Sequence, residues 1–101
     1  MDTVDNLIQT VRREVSEYVR PSPNATAYYV ENGEQHVFAV LSVPTSDPQR
    51  TSVVIMARLV DDFVVIESDK TNKPLYEALL QAGIPREQIV LLYEGEQVPA
   101  A

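Results

Sequence analysis

The chain has 101 residues, with 8 Lys plus Arg against 15 Asp plus Glu, a formal charge of −7 with His36 neutral, and 45% apolar residues. This is the size and apolar content of one domain spanning 1–101 with a core of its own, which excludes wholesale disorder. The charge is −3 over 1–50 and −4 over 51–101, so no basic arm exists to neutralise nucleic-acid phosphates or anionic lipid, and zero Cys excludes a disulfide framework, a thiolate zinc site and a cysteine nucleophile.

The start, Met1-Asp2-Thr3-Val4-Asp5, is acidic and lacks the basic and apolar regions of a secretory signal, so a cytoplasmic protein is expected. Val4, Leu7, Ile8, Val11, Val15, Tyr18 and Val19 then recur at three- and four-residue spacing, which predicts a helix from Thr3 to Val19. Asp2 or Thr3 is placed to cap it, and Pro21 with Pro23 prevents continuation. From Ala25 the period falls to two. Ala25 to Glu31 and Gln35 to Val43 are β-branched and aromatic runs around Asn32-Gly33, the dipeptide that most readily supplies a tight hairpin turn. His36, Phe38 and Val40 are then expected on one face of the second strand, and Val37, Ala39 and Leu41 on the other.

Pro44 to Arg50 is a polar loop with two prolines, expected to be flexible. Ser52 to Val60 and Phe63 to Glu67 make a second hairpin around Asp61-Asp62, and their successive apolar residues predict central strands covered on both faces. The longest apolar run, Val53 to Val60, is broken by Arg58 and too short to cross a bilayer. Thr71 or Asn72 is expected to cap a second helix with Pro74 in its first turn, and Gly83 to end it in the left-handed conformation with Ile84 packing back. After a short turn at Pro85 to Gln88, Ile89 to Tyr93 reads as a buried strand and 94–101 as a flexible tail. The order of helix, two β-hairpins, helix and strand predicts an α+β fold, a mainly antiparallel sheet with both helices packed on one face.

Chemistry-bearing residues are sparse. His36 is the only histidine, so no multi-histidine metal site can form, and its place beside a turn is that of an exposed or hydrogen-bonded side chain. Glu67-Ser68-Asp69-Lys70 puts Ser68 where the acid of an acid–x–Lys nuclease tripeptide belongs, and Asp61-Asp62 sits where aspartates commonly serve the backbone. Gly33, Gly83 and Gly95 fall at turns or in the tail, with no phosphate-cradling cluster. Neither a metal nor a cofactor is expected. Tyr28 and Tyr29 alternate across a strand, so one faces outward. The residues expected to supply an interaction surface are Tyr28, Tyr29, His36, Asp61, Asp62, Glu67 and Asp69. The alternative is a small carboxylate-dependent enzyme or ligand-binding domain built on Asp62, Glu67 and Asp69, which requires those acids to converge in one pocket.

The stretch from Ser52-Val53-Val54-Ile55-Met56-Ala57-Arg58 through Phe63-Val64-Val65-Ile66-Glu67-Ser68-Asp69-Lys70, and above all Ala82-Gly83-Ile84-Pro85-Arg86-Glu87-Gln88-Ile89-Val90-Leu91, resembles the XisI family. That family is named for a controlling factor in excision of the fdxN DNA element during cyanobacterial heterocyst development. The likeness lies mainly in 52–94, and the last block carries a cap, a proline-led turn and a buried strand. Where the family often has Gly-Trp after its second strand and His on its third, this chain has Leu41-Ser42-Val43-Pro44 and Ile55-Met56-Ala57; Tyr93-Glu94-Gly95-Glu96 replaces a His-containing segment. The resemblance implies a non-enzymatic accessory protein, not the recombinase, acting with a protein partner that resembles a nuclease, and it offers no catalytic residue to carry over. With −7, such a role would run through a basic surface of the partner, with no direct nucleic-acid or membrane binding. A homodimer through a sheet edge or the outward tyrosines is the further possibility that composition allows.

Overall fold

In a computed structural model, which describes residues 3–99, the switch of period along the chain becomes a layer of helices on a sheet. Helix α1, Thr3–Ser16, is followed by β1, Ala25–Asn32; β2, Val37–Pro44; β3, Ser52–Val60; β4, Phe63–Asp69; helix α2, Leu75–Gln81; and β5, Ile89–Leu91. The five strands lie in the order β1-β2-β3-β4-β5. The first four are antiparallel neighbours, and β5 runs parallel to β4, with Val64 opposite Ile89 and Ile66 opposite Leu91. A parallel pair needs a crossover, and α2 supplies it.

Both helices cover the same face. Leu7, Val11 and Val15 from α1 and Leu75 and Leu79 from α2 form one core with Phe38, Val40, Ile55, Ala57, Val64 and Ile66. Ala39, Val65 and Val90 are also buried, but their register puts them on the other face, outside that cluster. The alternation therefore reports the architecture, with one correction. β4 is closed on both sides at Val64, Val65 and Ile66, whereas β3 is buried only at Ile55, Ala57 and Leu59; Met56, Arg58 and Val60 are half-buried on a face with no helix over it. No helix among the described residues is long and apolar enough to cross a membrane.

Local chemistry moved several boundaries. The α1 stripe continues to Val19, but regular helix stops at Ser16; Tyr18 and Val19 donate to Val15 and Ser16, a tightened last turn before the prolines. Its expected caps, Asp2 and the Thr3 side chain, lie outside the described residues. The Asn32-Gly33 two-residue turn does not form. Asn32 pairs with Val37 across a four-residue loop, the Asn32 Oδ1 accepts the Gln35 N–H at 3.0 Å, and His36, at φ 53°, takes the left-handed conformation in place of Gly33. His36 is thus a loop residue and not a member of β2. The second hairpin is tight: Val60 pairs with Phe63, and Asp61 at φ 55° supplies the positive φ that such a turn demands. The loop after β2 contains a 3-10 turn, Pro48–Arg50. Gly83, at φ 99°, ends α2 as expected, with Ile84 N–H donating to the Leu79 carbonyl and the Ile84 side chain buried in the core. β5 is shorter than expected because the backbone turns into a 3-10 segment at Leu92–Glu94. At the start of the tail Glu96 is tied down, accepting from Leu91 N–H at 2.9 Å and from Arg86 Nη2 at 2.6 Å.

Candidate functional site

A one-residue surplus in β4 decides where its acids point. Met56 pairs with Ser68 and Ala57 with Ile66, so Glu67 is the unmatched residue of a bulge. Strict alternation would put Glu67 and Asp69 on one face; the bulge shifts the phase, so Asp69 pairs with Ile55 on the helix side. There its carboxylate gathers three donors: Leu75 N–H to Oδ2 at 2.8 Å, and Thr71 N–H and Oγ1 to Oδ1 at 2.9 and 2.6 Å. Asp69, not Thr71 or Asn72, is the residue that satisfies the start of α2, and no side chain of its own flanking residues does so. Glu67 stays on the helix-free face and is paired with Arg58 Nε.

The inner side of β1 carries a second linkage. Tyr29 turns toward the core while Tyr28 points away and is 52% exposed. Tyr29 Oη donates to Glu31 Oε1 at 2.6 Å, and Arg12 from α1 donates Nε to Oε1 at 2.8 Å and Nη2 to Oε2 at 2.7 Å. This fork-on-carboxylate geometry joins helix to edge strand. The hydrogen bonds from Arg12 and then from Tyr29 hold the Glu31 carboxyl at about 2, and burial followed by the Glu31 hydrogen bond pushes the Tyr29 phenol well above its usual range. The expected surface residues Tyr28 and Tyr29 are therefore on opposite faces. The Arg12–Glu31 pairing has no sequence signal, because its members are 19 residues apart.

The remaining acids separate as well. Asp61 and Asp62 lie in the β3–β4 turn, at the end of β4 opposite Asp69, about 20 Å away along a seven-residue strand. They do not share a pocket with Glu67, Asp69 or Lys70. Instead they share an end of the sheet with Glu34 of the β1–β2 loop and Glu87 of the 3-10 turn Arg86–Gln88. Leu59 N–H donates to the His36 carbonyl at 3.0 Å and Gln88 Nε2 to the Asp62 carbonyl at 2.9 Å, which binds these three turns together. All four carboxylates are exposed, and none has an ion-pair partner among the described residues. Arg12, Arg58 and Arg86 are each already paired, with Glu31, Glu67 and Glu96. Glu34 and Glu87 joined this group only through the topology; in sequence they are isolated.

A cleft of about 420 Å³ between the end of α1 and the start of α2 is lined by charges of both signs, including Glu17, Lys73 and Glu77. Tyr18 Oη crosses it to the Lys73 carbonyl, and burial pushes that phenol up. No group of three or more His, Cys, Asp or Glu side chains converges among the described residues as it would to hold a metal ion.

A helix, a four-stranded meander and a helix-linked parallel fifth strand define a small α+β protein. The chain belongs to the XisI family: the family model described as XisI protein matches residues 1–100, which extends the likeness over α1 and the first hairpin. The solved structure of the fdxN element excision controlling factor XisI from Anabaena variabilis ATCC 29413 superposes with a TM-score of 0.74 at 20% identity, covering 89% of this chain and 91% of that one. A XisI-like protein from the same organism gives 0.66 at 20% identity, over 94% and 84% of the two chains. At that identity these structures show the fold. No curated protein matches in sequence.

Proposed function

We propose that this chain is a non-enzymatic, cytoplasmic accessory protein that acts by contact with another protein, occupying the basic, nucleic-acid-binding surface of a nuclease-like companion. The observation that carries the reading is the end of the sheet where Glu34, Asp61, Asp62 and Glu87 stand exposed with no cation among the described residues paired to them. A chain of charge −7 with Arg12, Arg58 and Arg86 paired to Glu31, Glu67 and Glu96 concentrates negative potential there. Such potential steers a basic partner and raises its association rate by about 10-fold or more, and it repels nucleic acid itself. The name of the family, an excision controlling factor, is in keeping with regulation of another protein. The dispersion of Asp62, Glu67 and Asp69 over two ends and two faces of the sheet favours this reading over a carboxylate-dependent enzyme.

Affinity capture from host extract, with partners identified by mass spectrometry, tests it. The expected result is a basic, nuclease-like protein retained at low salt, released as salt shortens the Debye length to a few ångströms, and lost in the variant Glu34→Lys/Asp61→Lys/Asp62→Lys/Glu87→Lys. Capture of the same partner by that variant, or direct binding of DNA by the chain at low salt, would refute the proposal.

A further inference from the structure

The two edges of the sheet are finished differently. At β5 the chain closes its own edge: Arg86 Nη1 donates to the Ile89 carbonyl at 2.7 Å, the Glu96 side chain accepts the Leu91 N–H at 2.9 Å, and Glu96 N–H donates to the Leu91 carbonyl at 3.1 Å. β1 has no such closure. It pairs with β2 over all its 8 residues without a register shift, and it contains neither Pro nor Lys, the usual means of blunting an edge. Its one charged side chain, Glu31, is held by Arg12, and α1 lies mainly over β2 and β3.

The pairing fixes which backbone groups of β1 face outward. Thr45 N–H donates to the Asn24 carbonyl at 2.9 Å, and Leu59 N–H to the His36 carbonyl at 3.0 Å. Bonded and non-bonded pairs alternate along an antiparallel ladder, so each of these bonds sets the phase, and the two agree. Thr26, Tyr28, Val30 and Asn32 bond to β2, while Ala25, Ala27, Tyr29 and Glu31 turn their N–H and C=O away from it. None of those outward groups has a partner among the described residues.

We infer that β1 is the contact between two copies of the chain, joined edge to edge and antiparallel into one continuous sheet. Register is the first argument. A two-fold axis through Tyr28 sets Ala27 against Tyr29 and Ala25 against Glu31 of the other copy, so every outward N–H and C=O finds a partner. An axis at Tyr29 would leave Ala25 opposite Gly33 in the loop, and one at Ala27 would put Glu31 opposite Pro23, which has no N–H. The edge is thus complementary to its own copy, a match that a strand of another protein need not share. Side chains are the second argument. The same register pairs Tyr28 with Tyr28 and Thr26 with Val30 on the helix-free side, covering Tyr28 and Val30, which are 52% and 42% exposed. Aromatic and β-branched cross-strand pairs of this kind stabilise a sheet. Charge is the third. No charged side chain meets its like across the joint, and the two-fold sends the ends carrying Glu34, Asp61, Asp62 and Glu87 to opposite ends of the joined sheet, so two chains of −7 meet where repulsion is least.

The absence of cysteine from the chain supplies the test. The wild-type chain is expected to give twice its mass at sedimentation equilibrium. Tyr28→Cys places the single thiol on the axis, where the Cα atoms of a non-bonded antiparallel pair lie about 4.5 Å apart, and should oxidise to a disulfide-linked dimer. Thr26→Cys should not link to itself, because its two copies lie about 13 Å apart along the strands, but should link to Val30→Cys when the two variants are mixed. Ala27→Pro removes an N–H that β2 does not use, so it should weaken the dimer at least about tenfold with an unchanged circular dichroism spectrum. A monomer at all concentrations, a dimer that oxidation of Tyr28→Cys does not link, or one that folded Ala27→Pro leaves at full strength overturns the inference. Should Ala27→Pro unfold, the thiol pairs decide alone. This joint is separate from the acidic end, so its failure leaves the proposed partner binding standing.

Discussion

Replacing Asp69 with Ala removes one carboxylate and strands three donors. Leu75 N–H opens α2 and belongs to a residue with no exposed surface, so water reaches it poorly; Thr71 N–H and Oγ1 are half-buried and regain part of their hydrogen bonding from solvent. Loss of a helix cap costs about 1 kcal/mol, and leaving a buried donor unsatisfied costs about 1–3 kcal/mol. The two overlap at Leu75, which gives about 2–3 kcal/mol in all. For a domain of this size about 5 °C of melting temperature corresponds to 1 kcal/mol, so Asp69→Ala should melt about 10–15 °C below wild type. Asp69→Asn keeps one acceptor oxygen and should lose about half as much. Differential scanning calorimetry at pH 7 reads both. If Asp69→Ala melted within about 2 °C of wild type, the carboxylate would not be holding the helix start and the role assigned to the bulge would be wrong.

Three other outcomes follow from the same geometry. Glu31 is held at about 2 in the folded chain against 4.5 when free, so its contribution is complete above 4.5 and is lost as pH falls toward 2; the stability gap between wild type and Glu31→Gln, about 1 kcal/mol at pH 7 by urea titration for such a surface pair, should close over that range, and a gap independent of pH would contradict the pairing with Arg12. Asp61 holds φ 55°, so Asp61→Gly should stabilise by about 0.5–1 kcal/mol and Asp61→Val destabilise by about 1–2 kcal/mol in chemical denaturation, opposite signs that a surface turn without backbone constraint would not produce. Leu79 is fully buried between α2 and the sheet, and Leu79→Ala should cost about 2–5 kcal/mol, a thermal shift larger than that of any substitution on the acidic end.

The alternation of apolar residues made the strands and the one-sided helix layer legible, because burial on a sheet face is a period-two property of neighbours in sequence. Tyr28 facing away from Tyr29 follows from the same rule. What failed were features set by contacts distant in the chain. Asn32-Gly33 has the chemistry of a two-residue turn, yet the pairing of β1 with β2 demands four loop residues and places the left-handed conformation on His36. Thr71 and Asn72 have the composition of helix caps, but a phase shift in the preceding strand puts a better acceptor, Asp69, at the same amide groups. The acidic end was half visible as Asp61-Asp62; Glu34 and Glu87 joined it only through the stacking of three separate turns. The tie between Arg12 and Glu31 is of the same kind.

The surplus residue at Glu67 makes pairing register, more than side-chain identity, the quantity under constraint at the end of β4. Drawing Glu67 into regular pairing with Met56 would set Ser68 opposite Ile55 and turn Asp69 out to the far surface, away from the first turn of α2, whereas a chain lacking Glu67 altogether would keep Ser68 opposite Met56 and Asp69 opposite Ile55. Loss of this one residue should therefore leave the acceptor for the helix in place and cost the partner of Arg58, while an added residue between Ser68 and Asp69 that joined the pairing would force the helix to recruit its acceptor from somewhere else.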